Sequence, residues 1–283
     1  RATIKYVKQG GITTGQGFVI CPSGTGEYIS LSDDEHKRMV EVAVDAAEGE
    51  FPVVAGVGST YHKETLRRSK NAEQAGAKCI MAPPPYYYRG LTKQSVINWY
   101  ETIAGAIDIG LMVYSQPQRN LGCTMDIDTI NDLSKIDSVI SIKRGLGPSL
   151  QDYVDTLETF SDRFAVVDNS YGYTAGLAYM HGAASYITGF GAFWPEAEST
   201  FWSMLENQQY LEAEKLHAKQ GGFWNFVDNK LGGFATSALK AGMEYIGISA
   251  GPLRPPFSEL TPEEKKVLFR ILSDMGLKQN RAV

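Results

Sequence analysis

From residue 18 to about residue 190, short apolar runs alternate with segments of helical periodicity, and this order limits the fold more than any other feature of the chain. A strand that is followed by a helix before the next strand must return parallel to its predecessor, with the helix as the crossover. The runs at 18–21, 52–57, 78–82, 109–114, 138–143, 164–168 and 185–188 read as seven strands. Between them lie helical stretches to residue 46, to Gly76, at 92–107, 127–133 and 150–160, the first opened by the capping box Ser32-Asp-Asp-Glu35. A closed parallel barrel needs eight strands. Residues 1–10 read as the end of an amphipathic helix stopped by Gly10-Gly11, so the expectation is an α/β chain with a TIM (β/α)8 barrel over 1–193 whose first strand is missing from this chain. After Pro195 the alternation stops: helices at 197–206, 208–226 and 233–246, with a last one starting at Thr261-Pro-Glu-Glu264, predict a C-terminal helical extension over 194–283, packed on the barrel. The competing architecture is an open doubly wound sheet. Against it, Gly56-Val-Gly58 follows a strand but Tyr61 stands where a dinucleotide fingerprint needs its third glycine.

Composition narrows the function by exclusion. The 283 residues carry a net charge of -5, without the basic surplus that phosphate backbones demand, so nucleic acid is not expected as a partner. No window approaches the roughly 18 apolar residues of a membrane span, and no signal peptide is visible. Cys21, Cys79 and Cys123 are far apart and odd in number, which reads as free thiols in a reducing, cytoplasmic setting. The four histidines are scattered, so neither a metal site nor a metal cofactor is expected.

In a parallel barrel the chemistry gathers where each strand hands over to its following loop. The run Ser138-Val-Ile-Ser-Ile-Lys143 ends in a lysine before the glycine-rich turn Arg144-Gly-Leu-Gly-Pro148. An ammonium among β-branched residues is costly and tends to give up its proton, which leaves a nucleophilic amine. Lys143 therefore reads as a Schiff-base former; its alternative is a strand-end lysine whose stem snorkels to solvent. Tyr114 and Arg119 lie at or just past a neighbouring strand end and supply an acid/base group and an anion anchor. Ser23-Gly-Thr-Gly26, with Gly24 and Thr25 at its centre, is a tight turn whose bare N–H groups suit a carboxylate. An amine, a phenol and an anion anchor together suit a 2-oxo acid. Taken singly, Tyr114 also reads as a core aromatic and Arg119 as a loop ion pair. Glu27 reads as structural, tying the glycine turn to the barrel. Phe223, Trp224 and Phe226 sit at helical spacing, as core or subunit-contact residues do.

Ser23-Gly-Thr-Gly-Glu27, Pro85-Tyr-Tyr87, Tyr114-Ser-Gln-Pro-Gln-Arg119 and Ile142-Lys143 resemble, in order, the signatures of the dihydrodipicolinate synthase/N-acetylneuraminate lyase family. The resemblance extends to Leu31-Ser-Asp-Asp-Glu-His36, Pro52-Val-Val-Ala-Gly56 and Gly251-Pro-Leu-Arg-Pro255, nearly the whole chain. It implies a class I lyase or aldolase acting on pyruvate or a related 2-oxo acid, in some members with an aldehyde, as a homotetramer built as a dimer of dimers and without cofactor. It also implies roles: imine formation at Lys143, proton transfer by Tyr114, and carboxylate binding at Thr25 and the turn with Gly24. Arg119 would meet a second carboxylate or a hydroxyl. Tyr87 would reach across a dimer interface, and the Ile187 carbonyl would line the pocket opposite the lysine. Two branches compete. Gly24 stands where the synthases carry the first of two threonines, and the run Lys143-x-Gly145-x-Gly147 resembles the 5-dehydro-4-deoxyglucarate dehydratases instead, whereas Pro117 and Arg119 resemble the synthase and aldolase branch. The alternative of another class is a barrel that binds an oxo acid and converts nothing. Substrate choice is expected to rest on Ser115, Gln116, Arg144 and Asn169.

Overall fold

The computed structural model describes residues 1–13, 15–116, 123, 125–170 and 174–280. Among them run seven parallel strands: β1 (Val19–Ile20), β2 (Val53–Gly56), β3 (Cys79–Ala82), β4 (Gly110–Ser115), β5 (Val139–Arg144), β6 (Ala165–Asp168) and β7 (Ser185–Tyr186). They are hydrogen-bonded in sequence order, each to the next. The helices are α1 (Ala2–Gln9), α2 (Asp33–Ala47), α3 (His62–Gln74), α4 (Lys93–Ala104), α5 (Ile127–Leu133), α6 (Leu150–Phe160), α7 (Ala175–Met180), α8 (Pro195–Glu206), α9 (Tyr210–Ala218), α10 (Gly221–Leu231), α11 (Ala235–Tyr245) and α12 (Pro262–Asp274). Two compact units result, one of Gly17–Gly24 with Leu31–Thr188, the other of Arg1–Gln16, Thr25–Ser30 and Gly189–Val283.

Strand periodicity sorts the first unit into two layers. Ala55, Ile80, Ala82, Leu111, Val113, Ile142 and Val166 face the helices and form one core with Val40, Ala72, Tyr100, Ile103 and Leu157. Val54, Cys79, Met81, Met112 and Val167 face the other way and meet one another, with Phe18, Ile20, Tyr114 and Ile187 packed against them. Residues of the first and fourth strands and Ile187, just past the last strand, join this one cluster, as the inward face of a sheet rolled on itself does. The unbroken strand order removes the doubly wound alternative as well, which reverses direction at a switch point. The rolled sheet is the strand wall of a TIM-type α/β barrel, and the expected C-terminal helices are present.

Local signals set the helix starts. Ser32 and Glu35 form the expected capping box on α2, and Thr261 and Glu264 form another on α12, with Pro262 in its first turn. The stretch expected as one helix over 208–226 is two, α9 and α10, parted at Lys219-Gln220, just before the two glycines that open α10 and weaken helix continuity. Helix α7 had no sequence signal, being six residues long with a glycine inside.

In the second unit Phe190, Phe193, Phe223 and Trp224 interlock, the ring centroids of Phe190 and Phe223 lying 4.8 Å apart, so the tail aromatics are core residues. Helix α11 passes the Phe193 ring at Gly242, where an added Cβ would come within about 3 Å of three ring atoms. Glu27 belongs to this unit. Its Oε1 accepts from the Arg254 backbone N–H at 2.8 Å and its Oε2 pairs with Lys240 at 2.5 Å. The expectation that Glu27 ties its turn to the barrel is corrected: the carboxylate binds the turn to α11 and to the segment after it. Glu27→Ala removes one partner of a nearly enclosed ion pair and takes one acceptor from the Arg254 amide and one from Lys240, whose ammonium keeps the Pro252 carbonyl at 2.8 Å. We expect a loss of about 2–4 kcal/mol, read as a lowered urea midpoint with unchanged slope; a loss below about 0.5 kcal/mol contradicts this account.

Two buried histidines add a pH dependence. His36 donates through Nε2 to the Gly56 carbonyl at 2.7 Å, and His217 lies against the Phe201 ring, centroids 4.9 Å apart. Burial lowers both pKa values, so the folded chain keeps these rings neutral. Below about pH 6.5 the unfolded chain takes up protons that the folded one refuses, and stability therefore falls as pH drops from about 6.5. Thermal unfolding should show a Tm decline between pH 6.5 and 5 that is shallower in His217→Phe, and an identical slope in that variant would refute the assignment.

Candidate active site

Lys143 is the penultimate residue of β5 and pairs in register with Tyr114 of β4 on one side and Val167 of β6 on the other. Its side chain lies on the face of the inner cluster and is 7% exposed, so the snorkelling alternative does not hold. The Nζ sits 4.6 Å from the centroid of the Tyr114 ring. Strand pairing explains the closeness: side chains at matched positions of adjacent strands stand side by side on one face. Below the lysine, Ser141 donates its hydroxyl to the Ala165 carbonyl at 2.8 Å. Ile187, one residue past β7, packs on the same cluster and donates its N–H to the Asp168 carbonyl at 2.8 Å.

The other expected site residues are placed as follows. Gly24 and Thr25 form an exposed turn, Gly24 the last residue of its stretch in the first unit and Thr25 the first of the turn in the second. An added Cβ at Gly24 meets nothing within 4 Å, so the missing side chain there is not a steric requirement. Tyr87 is 76% exposed in the segment after β3, its ring edge-on to Tyr88 at 5.2 Å. Arg119 lies outside the described residues.

The four residues expected to govern substrate choice divide by strand alternation. Ser115 and Arg144 turn away from the lysine: the Arg144 Nη1 donates to the Ser115 hydroxyl at 2.7 Å and to the Met125 carbonyl at 3.2 Å, in the layer between sheet and helices. They are structural, which corrects that expectation, and the reason is that β4 and β5 each run one residue further than the apolar runs suggested. Asp168, at the matching position of β6, accepts from the Tyr153 hydroxyl at 2.5 Å and from Thr174 at 3.0 Å, with its pKa raised by burial. Gln116 and Asn169 stand one step further along and return to the lysine's face. The Asn169 Nδ2 donates to the Gln116 Oε1 at 2.5 Å, a contact between residues 53 apart that nothing in the sequence announced.

The thiols take no part. Burial pushes Cys21 and Cys123 up to about 11 and Cys79 up to about 12, so each stays protonated and a poor nucleophile at neutral pH. Among the described residues no helix is long and apolar enough to cross a membrane, and no three His, Cys, Asp or Glu side chains gather as metal ligands.

An enclosed amine beside a phenol at the strand ends of a rolled parallel sheet defines a barrel equipped for carbonyl chemistry. The comparisons with known proteins agree in kind. Residues 2–275 match the model of the dihydrodipicolinate synthetase family, and the chain belongs to that family. It is 29% identical over 277 residues to a 4-hydroxy-tetrahydrodipicolinate synthase of Methanococcoides burtonii, covering 98% of this chain and 91% of that one. It is 28% identical over 268 residues to a probable 5-dehydro-4-deoxyglucarate dehydratase of Pseudomonas entomophila, covering 93% and 85%. The crystal structure of YagE, a prophage protein of the dihydrodipicolinic acid synthase family from E. coli K12 in complex with pyruvate, superposes with a TM-score of 0.87 at 21% identity, over 98% of this chain and 91% of that one. That likeness carries the fold.

Proposed function

We propose that this protein is a class I lyase that binds pyruvate or a related 2-oxo acid as an imine on Lys143. The observation that carries the reading is the enclosure of that amine, 7% exposed, with its nitrogen 4.6 Å from the ring centre of Tyr114. The amine adds to the keto carbon, the C–O bond breaks with loss of water, and the protonated imine withdraws electrons from the adjacent carbon. Removal of a C3 proton then gives an enamine, which adds to an aldehyde carbon; the reverse sequence cleaves that bond. Tyr114 carries the proton between the reacting oxygen and carbon. The Gly24 and Thr25 N–H groups and Arg119 hold carboxylates, Ile187 lines the pocket, and Tyr87 reaches a second subunit of a homotetramer, for which its exposure beside Tyr88 is the support. The dehydratase course, in which the enamine expels a hydroxyl from the next carbon, is the second reading. Gly24 and the turn Lys143-x-Gly145-x-Gly147 favour it, as does the likeness to the Pseudomonas protein.

Borohydride reduction in the presence of pyruvate tests the proposal. It should fix a mass equal to the reduced adduct on the peptide that contains Lys143; a protein that gains no mass, or gains it elsewhere, overturns the assignment.

A further inference from the structure

In the second unit, residues 25–27 and residues 247–257 contain neither helix nor strand, so no ladder holds one segment against the other. A closed bracket of polar bonds joins them instead. Glu27 Oε2 meets Lys240 Nζ at 2.5 Å, Glu27 Oε1 accepts from the Arg254 N–H at 2.8 Å, and the Pro252 carbonyl accepts from the same ammonium at 2.8 Å. The bracket stands on α11, whose residues are mostly buried and which passes the Phe193 ring at Gly242 too closely to admit a side chain. Lys240 lies two residues from that contact, on a helix with little room to shift.

Glu27 needs such an anchor. Its φ is 58°, in the left-handed region, an unfavourable conformation for a residue with a side chain that persists only where the surroundings enforce it. Its main chain is committed too, since its carbonyl accepts from the Ser30 N–H at 2.8 Å and so opens the short 3-10 turn Tyr28–Ser30. When the carboxylate is released, the strain relaxes by rotation at Glu27. The N–H groups of Thr25 and Gly26, immediately before it, are then the first to be aimed elsewhere.

We propose that Lys240 is a positioning residue for substrate binding: through Glu27 it fixes the direction of the Thr25 N–H that holds the carboxylate of the 2-oxo acid. This rests on the imine reading above, in which that turn takes the carboxylate. Such a contact is made equally in the ground and transition states, so its loss raises KM and spares kcat.

Exchange of the pyruvate methyl protons with deuterium, followed by NMR, gives a half-saturating concentration and a limiting rate. In Lys240→Met the concentration should rise about tenfold while the limiting rate stays within about threefold. Lys240→Arg, which keeps a cation for Glu27, should recover most of the affinity. Glu27→Gln separates positioning from the plain field of the lysine, and it carries the test if Lys240→Met does not fold. Its single amide oxygen can face Arg254 or Lys240 but not both, so one side of the bracket opens whichever way it turns. Removing a negative charge by itself favours an anionic substrate, whereas removing Lys240 disfavours one. Positioning therefore predicts weaker pyruvate binding in both variants, and a charge effect predicts opposite shifts. Opposite shifts, or a half-saturating concentration within about twofold of wild type in the folded variants, overturn the positioning role while a borohydride adduct on Lys143 keeps the imine. A wild-type protein that traps no pyruvate overturns both.

Discussion

Lys143→Met is expected to lower turnover of any 2-oxo acid that the wild-type protein converts by roughly 10^4-fold or more, while the fold persists. The two parts of this expectation come from different terms. Methionine fills nearly the volume of the lysine stem and suits the neighbouring Met112, Val167 and Ile187, so packing is retained. The Tm should therefore stay close to wild type as the activity vanishes, the pattern expected when a site carries a group that function needs and packing does not. Turnover within tenfold of wild type would remove the amine from the chemistry altogether. A lowered Tm with a broadened transition would instead make Lys143 a structural residue.

The sequence made the barrel legible because its signals are local. Strand length, alternation with helices and the two capping boxes are written within a few residues of where they act. The lysine and tyrosine were legible for a related reason, since an ionisable residue closing an apolar run is conspicuous wherever the run pairs. What stayed hidden depends on where a strand ends to within one residue. Ending β5 at Lys143 rather than Arg144 leaves the guanidinium in a loop, whereas its true place in the ladder turns it to the helix side, onto Ser115. The same single step returns Gln116 and Asn169 to the inner face. Contacts between distant residues, such as the bond from Glu27 to the Arg254 amide, have no short-range signature at all. The buried Arg68, which pairs with Glu64 at 2.5 Å and reaches the Leu31 carbonyl at 3.2 Å, combines the two kinds: its helical neighbour was foreseeable and its loop partner was not.

Tyr114→Phe separates binding from proton transfer. The ring stays, so its pairing with Lys143 across β4 and β5 and its place on the inner cluster are kept; only the phenolic oxygen goes. Imine formation with pyruvate should still reach completion, and borohydride should trap the adduct on Lys143 to the wild-type extent once the reaction is given time. The step that follows needs a proton to leave C3 of the imine, and there the loss should appear. Exchange of the pyruvate methyl protons with deuterium, followed by NMR, should slow by about 10^2 to 10^4-fold, the range of one positioned acid/base group, and kcat should fall with it while KM moves little. Exchange and kcat both within fivefold of wild type would remove the phenol from the mechanism. A variant that no longer traps pyruvate at all would place Tyr114 in imine formation itself, because a hydroxyl lost beside the amine then acts before the carbon proton is touched.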